Sequence, residues 1–539
     1  MIGCAISCLV SLLFSKWTLL AGIVGYFVYK WSISTYDIFE KRGIKFMTPL
    51  PLIGNFKGLV LQTMNFSDAM KDFYNHFPTE KFFGIFEFRK PAIVIRDPEL
   101  IKQIGVKDFD HFLDHRGNID ENHEPLFGRN LVALKGQRWK DMRSTLSPAF
   151  TGSKMRQMFQ LVSECCADTL KYLEKEAKDG KPLETDLKDL FTRFTNDVIA
   201  TSAFGIKVDS LKDKENEFYM YGKSATDFSG INSLKFFSII QFPKLSKTLG
   251  ITLFSKQFCN FFRSLVWDTI RFREKENIVR PDMINLLIQA RKGQLKHEKE
   301  EVDKEGYAVV QETSIGEAIH QSNLVEDDLT AQCLIFFLAG FDTSSTCMCF
   351  TGHELAANPD VQKKLLAEVD ATKEKLGGKP LTYEALQEMT YLDMVISESL
   401  RYWPPAAGTD RQCVKPYKVE VDGKNLEVKV GEGIMFPIVG LHHDPKYFPN
   451  PSRFDPERFS EENKNNIVPF TYLPFGVGPR NCIGSRFALM ETKAIIYYIM
   501  TKFTFEVCEK TQIPLKLAKA GFAMKAEKGF WVNLKPRNT

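Results

Sequence analysis

Apolar residues run almost unbroken from Ile2 to Tyr29, interrupted by Lys16 and small polar side chains. That length suffices for a helix of about 20 residues to cross a bilayer. Either Lys16 snorkels to an interface, or the span runs nearer residues 9 to 29. A cleaved signal peptide competes with this reading, but no basic segment precedes the run and its length exceeds a usual signal core. Residues 1–30 are therefore expected to form an uncleaved membrane anchor. Lys30, Lys41, Arg42 and Lys45 follow it, and this positive bias places the bulk of the chain on the cytosolic side. Residues 31–56 read as a hinge ending in PLPLIGNF (49–56), whose prolines and glycine stop a helix. Helical periodicity dominates the remainder, 57–539, with alternating strand patterns in KPAIVIRD (90–97) and KNLEVKV (424–430). The expected fold is one large domain, mainly α with small β-sheets. From Leu329 to about Ala357 the chain is again nearly all apolar, after acidic Glu326, Asp327 and Asp328 suited to a helix start. Asp342 and His353 would be costly in a bilayer, so this stretch predicts a central buried helix.

Composition adds that 45 phenylalanines, an unusually high number in a chain with 44% hydrophobic residues, should line a core or an apolar pocket. The formal charge of +4 is too mild, and too evenly spread, for nucleic-acid binding. Ten of the fifteen residues from Arg291 to Glu305 are charged, which predicts a solvated connection. The 11 cysteines are odd in number and scattered, without a C-x-x-C pair, and read as mostly reduced thiols of a cytosolic environment.

One of those cysteines is framed differently. Cys482 lies in PFGVGPRNCIG (474–484) among three glycines and Arg480. A dinucleotide loop is excluded because position 481 is not glycine and no βαβ context follows. A zinc site is excluded because no second Cys or His lies within five residues. A single thiolate ligand to a metal held mainly by a cofactor remains, beside the plainer reading of a buried structural cysteine. Glycines let backbone approach a flat macrocycle closely, and Arg480 can pair with a carboxylate. Upstream, AGFDTS (339–344) interrupts the long apolar helix. A glycine there, and a hydroxyl bond from Thr343 to the Ala339 carbonyl, would loosen the helix. ESLR sets Glu398 and Arg401 on one helical face, and WKDMR does the same for Trp139 and Arg143. GHELAA (352–357) lacks the second histidine of a zinc-protease motif, and His442 and His443 read as surface or capping groups without a ligand role.

Phe475, Gly478, Arg480, Cys482 and Gly484 together resemble the F-x-x-G-x-R-x-C-x-G signature of the cytochrome P450 haem-thiolate monooxygenases, and AGFDTS resembles that family's oxygen-binding segment. The resemblance spans essentially the whole chain and is nearest to insect microsomal members associated with detoxification. It implies the cytochrome P450 fold, with haem b held by Cys482 as metal ligand and axial thiolate and contacted by Phe475, Arg480, Trp139, Arg143 and Arg411. It assigns Asp342 and Thr343 a catalytic proton relay, and makes Glu398, Arg401 and Arg458 a structural charge network. The implied reaction inserts one oxygen atom from dioxygen into a lipophilic substrate. Its electrons would come from NADPH through cytochrome P450 reductase, with cytochrome b5 as an additional donor. Lys135, Arg138 and Lys140 read either as part of a basic docking face for an acidic partner or as a solvated helix face. The implied location is the endoplasmic reticulum membrane, with the catalytic domain facing the cytosol. Residues 231–262 would dip into the bilayer, and the loop from Phe109 to Phe127, Ala406 and Phe522 would line the substrate cavity. The competing functions are a reductase-independent haem-thiolate isomerase or dehydratase, which needs no relay of the Asp342 and Thr343 kind, and a non-enzymatic haem sensor or lipophile-binding protein.

Overall fold

The computed structural model describes residues 16–537 apart from 118, 178–179, 228–229, 295–305, 311–323, 520 and 522. The N-terminal half of the expected anchor, Phe522 and most of the charged connection therefore lie outside the described residues. Helix α1 (Lys16–Ile33) presents apolar side chains such as Trp17, Leu19, Phe27 and Trp31 outward, and only Ser32 is buried. The segment that follows packs on the domain. Phe39 and Ile44 are buried in a core beneath the first sheet, and the Phe39 ring stacks edge-on to Phe86 at 5.0 Å.

The helices that build the site are α2 (Gly136–Leu146), α3 (Gly152–Glu176), α4 (Leu187–Ile199), α5 (Gly230–Gln241), α6 (Lys256–Glu276), α7 (Glu326–Ala339), α8 (Ser345–Ala357), α9 (Pro359–Leu376), α10 (Thr390–Tyr402) and α11 (Ser485–Met500). Local chemistry sets their ends. Ser255 accepts a hydrogen bond from the Phe258 amide to start α6, Asp328 accepts from the Val325 amide to start α7, and Pro359 occupies the first turn of α9.

Strands β1 (Phe82–Glu87), β2 (Lys90–Ile95), β4 (Thr409–Gln412) and β7 (Gly433–Phe436) form one sheet in the order β1-β2-β7-β4, while β3 (Leu183–Asp186) belongs to another. Here β1 and β2 pair antiparallel, Phe82 opposite Ile95, and β2 runs parallel to β7. β5 (Tyr417–Val421) and β6 (Lys424–Val428) make a hairpin, and β3, β8 (Phe503–Glu506) and β9 (Trp531–Pro536) make a third sheet. Both strand patterns expected from alternation appear, as β2 and β6.

The apolar run from Leu329 becomes α7, one wide turn (Gly340–Ser344) and α8, in the middle of the molecule. Glu326–Ala357 is, among the described residues, the one helical stretch long and apolar enough to cross a membrane, yet most of it is buried inside the protein. It packs against α4, α10 and α11, whose apolar faces converge on it in the largest core. The chain is thus mainly helical with small sheets, and the buried central helix is a core element.

Candidate active site

Residues 474–484 fold as a sharp loop leading into α11. The Cys482 amide donates to the Phe475 carbonyl (2.9 Å) and the Asn481 amide to the Gly478 carbonyl (2.9 Å), which nests a tight turn inside a wider one. Gly478 has a left-handed backbone (φ 67°), and a Cβ there would lie 1.8 Å from the Gly105 carbonyl oxygen, so both conformation and contact demand glycine. Gly484 is different. Its φ is ordinary for any residue, and a Cβ would meet only the Phe150 ring at 3.9 Å. The space beside it belongs to a cavity of about 390 Å³ rather than to the chain's own packing.

Cys482 lies on that cavity, and it alone among the described cysteines is exposed. Ala339, Gly340 and Thr343 line the cavity as well, from the wide turn between α7 and α8. There the Thr343 hydroxyl donates to the Ala339 carbonyl at 2.5 Å, the hydroxyl bond expected to loosen the helix, and the turn widens to an i to i+5 pattern. Much of the remaining wall is apolar, including Ile335, Phe336, Leu400, Ile438 and Phe487.

Cationic side chains gather at one edge. Arg480 stacks its guanidinium on the Trp139 ring, 4.0 Å from the centroid, and donates to the carbonyls of Leu113 (2.9 Å) and Leu134 (2.8 Å). Arg143 reaches from α2 to Asn481, donating to its carbonyl (2.9 Å) and its side-chain oxygen (2.6 Å), and so fixes the residue next to Cys482. Burial works against the charge of Arg480, and Asp114 at 3.4 Å partly offsets it. Arg411 is fully buried on β4, bonded to the Val477 carbonyl (2.8 Å), and its Nε has no partner among the described residues. The nearby carboxylate of Asp410 is already shared by His115 (3.1 Å) and Arg116 (3.3 Å), which hold it well below the usual carboxylate range. Arg480, Arg143 and Arg411 thus make a buried cationic edge on which an anionic ligand would fit.

Residues 44–532 match the family model described as cytochrome P450. The chain belongs to the cytochrome P450 family. It is 48% identical over 528 residues to "Cytochrome P450 9e2" of Blattella germanica, covering 96% of each chain. It is 47% identical to "Probable cytochrome P450 9f2" of Drosophila melanogaster, over 95% of this chain and 97% of that one. It is also 38% identical to "Cytochrome P450 6k1" of Blattella germanica, over 90% of each. The protein is a cytochrome P450 monooxygenase, and the family carries haem. The residues present fit that group: an accessible sulfur, a cleft left open beside Gly484, apolar walls, and an edge of buried cations suited to carboxylates.

Of the residues read from sequence, Trp139, Arg143, Thr343, Phe475, Arg480 and Cys482 line this one P450 cavity, and Ala406 joins them. Two do not. Arg411 stands behind the wall. Asp342 was expected to act with Thr343, but its carboxylate turns the other way, to the Lys188 ammonium at 2.9 Å, in a cluster with the hydroxyls of Ser345 and Thr346. The reason is geometric, since consecutive helical side chains point about 100° apart. A lysine on α4, invisible in the motif, then holds the acid in place.

His442 also departs from expectation. It is fully buried, bonding the Leu473 amide (2.8 Å) through Nε2 and the Arg401 carbonyl (3.2 Å) through Nδ1, and burial holds it well below the usual imidazole range. Lys135, Arg138 and Lys140 engage Gln412, Glu121 and Asp110, at 3.2, 2.8 and 2.9 Å. His115 lines the cavity from within the loop of residues 109 to 127 expected there, although no spacing signal singles out this lone histidine in DHR.

Proposed function

We propose that this P450 is a membrane-bound haem-thiolate monooxygenase of lipophilic compounds, xenobiotics foremost, working on the cytosolic face of the endoplasmic reticulum with electrons from NADPH through a flavoprotein reductase. The observation that carries it is the shared cavity: an accessible sulfur and an opened helix turn within walls that are largely apolar. Cys482 would supply the axial thiolate. Arg143, Trp139 and Arg480 would meet the haem carboxylates, Arg411 would support that edge from behind, and Phe475 would pack beneath. When bound, the haem activates dioxygen so that one oxygen atom enters the substrate and the other leaves as water.

The protein's own part is to exclude water, orient the substrate and move protons. Thr343 is the hydroxyl on the wall. Asp342 is its acidic neighbour, which must leave Lys188 to serve it. Membrane association is supported by the outward side chains of α1 and by a second apolar fringe. Ile231, Leu234, Leu245 and Leu249 are exposed there, beside exposed Lys244 and Lys247. Docking of the reductase, with cytochrome b5 as a further donor, would use α2, its acids exchanging places with Glu121 and Asp110 at Arg138 and Lys140.

The test is reconstitution in phospholipid vesicles with reductase and NADPH against a panel of lipophilic compounds. NADPH-dependent oxygenated products are expected; none, from protein with a normal thiolate carbon-monoxide spectrum, would sink the reading. Thr343→Ala is expected to keep haem and spectrum while product per NADPH falls roughly tenfold or more and hydrogen peroxide rises. Unchanged stoichiometry would remove Thr343 from proton delivery.

A further inference from the structure

The connection between the helix Met283–Arg291 and α7 carries a short described segment, residues 306–310, that is built into the domain. The Val309 amide donates to the Gly306 carbonyl (3.1 Å) and closes a turn. Ala308 is buried in the largest core, and Val309 packs against it. Connecting segments run mostly over the surface, so burial of this kind calls for a dedicated seat.

Two anchors provide that seat. The Tyr307 amide donates to the Asp393 carboxylate of α10 at 2.9 Å, and the buried Lys493 ammonium of α11 holds the same carboxylate at 2.5 Å. A Cβ on Gly306 would lie 2.0 Å from that carboxylate, so only glycine fits beside it. The second anchor is aromatic. The Tyr307 ring lies 5.1 Å from Phe459 and 5.5 Å from Tyr472 between centroids, and those two rings lie 5.0 Å apart, which closes a triangle. Tyr472 also donates its hydroxyl to the Ser397 carbonyl of α10 (2.9 Å) and stacks on His442 at 5.3 Å.

The anchors flank the cysteine loop. Tyr472 comes two residues before Pro474, where the loop starts, and Lys493 lies on the helix into which the loop leads. We propose that Tyr307 is a positioning residue for the Cys482 loop: seated on Tyr472 and Asp393, it clamps the chain before and after the loop and so keeps the sulfur in place. The clamp comes from a connection far away in sequence and lies outside the cysteine motif itself. The proposal rests on Cys482 being the haem ligand.

The test compares purified, full-length, haem-loaded wild type with Tyr307→Ala, Tyr307→Phe and Gly306→Ala. Amide hydrogen exchange read by mass spectrometry is expected to quicken about tenfold over residues 471–484 in Tyr307→Ala, because two ring contacts are lost, while α4 exchanges as in wild type. In mild urea the thiolate carbon-monoxide spectrum of that variant should decay about fivefold faster. Gly306→Ala should reproduce both effects, since the added methyl displaces the segment from Asp393. Tyr307→Phe keeps the ring and the amide and should match wild type.

Unchanged exchange and spectral decay in Tyr307→Ala would overturn the proposal. So would faster exchange confined to residues 306–310, which would mark a segment that is seated without holding the loop, or faster exchange throughout the chain, α4 included, which would mark a general loss of stability. A Tyr307→Phe variant as labile as Tyr307→Ala would overturn it as well, by assigning the effect to the hydroxyl. A wild type with no thiolate spectrum, whose exchange over 471–484 still responds to Tyr307→Ala, would instead count against Cys482 as the ligand.

Discussion

Cys482→Ala is expected to abolish the thiolate carbon-monoxide spectrum and to bring NADPH-dependent product formation below detection, in a protein that still folds. The loop's shape is held by the left-handed Gly478 against Gly105, by the Cys482 amide on the Phe475 carbonyl, and by Arg143 on Asn481. Since the side chain faces a cavity, truncating it costs about 1 kcal/mol or less. No neighbour replaces it. Cys347 also touches the cavity, but burial pushes its thiol up to about 12, which leaves almost no thiolate at neutral pH. Optical spectra and thermal melts of the purified variant separate the two effects. A retained thiolate spectrum would show that another sulfur binds the iron, and a collapsed melt would show that Cys482 also holds the loop.

What sequence reveals here depends on how local the cause is. The central helix was legible because an apolar run of that length interrupted by Asp342 has few other places to go, and the opened turn because Gly340 and Thr343 act within one turn. The cysteine loop was legible because its glycines and arginine sit at fixed spacing. Other features depend on partners far along the chain. Asp342 turns from Thr343 because Lys188, 154 residues earlier, waits on the far side. Glu491 looks like the polar position of an amphipathic helix, and only the convergence of α3 and α8 around α11 makes it a buried acid. Phe39 and Ile44 read as hinge residues because nothing near them shows that a sheet of residues 82–95 and 409–436 will accept them. Strands β4 and β7 carry four residues each, too few for alternation to stand out.

Arg401→Ala is expected to destabilise the fold by about 3–5 kcal/mol, enough to reduce the yield of haem-loaded protein severely. Arg401 and Glu398 are both fully buried on α10. The guanidinium donates to both carboxylate oxygens (2.7 and 2.8 Å) and to the carbonyls of His442 (2.9 Å) and Pro451 (3.0 Å). Glu398 in turn accepts the Asp455 amide at 2.8 Å and lies 3.5 Å from Arg458. One buried pair therefore ties α10 to the 442–458 segment that leads into the Cys482 loop. Removing the arginine leaves a buried carboxylate held only by Arg458 and the Asp455 amide and facing several stranded carbonyls, and that poorly compensated charge, rather than lost attraction, sets the size of the effect. Arg401→Lys distinguishes charge from shape, because an ammonium keeps the charge but cannot span the same fork of acceptors. Urea denaturation is expected to place Arg401→Lys nearly as low as Arg401→Ala. A lysine variant as stable as wild type would mean that charge balance alone holds the segment, and the geometry of the guanidinium would then be incidental.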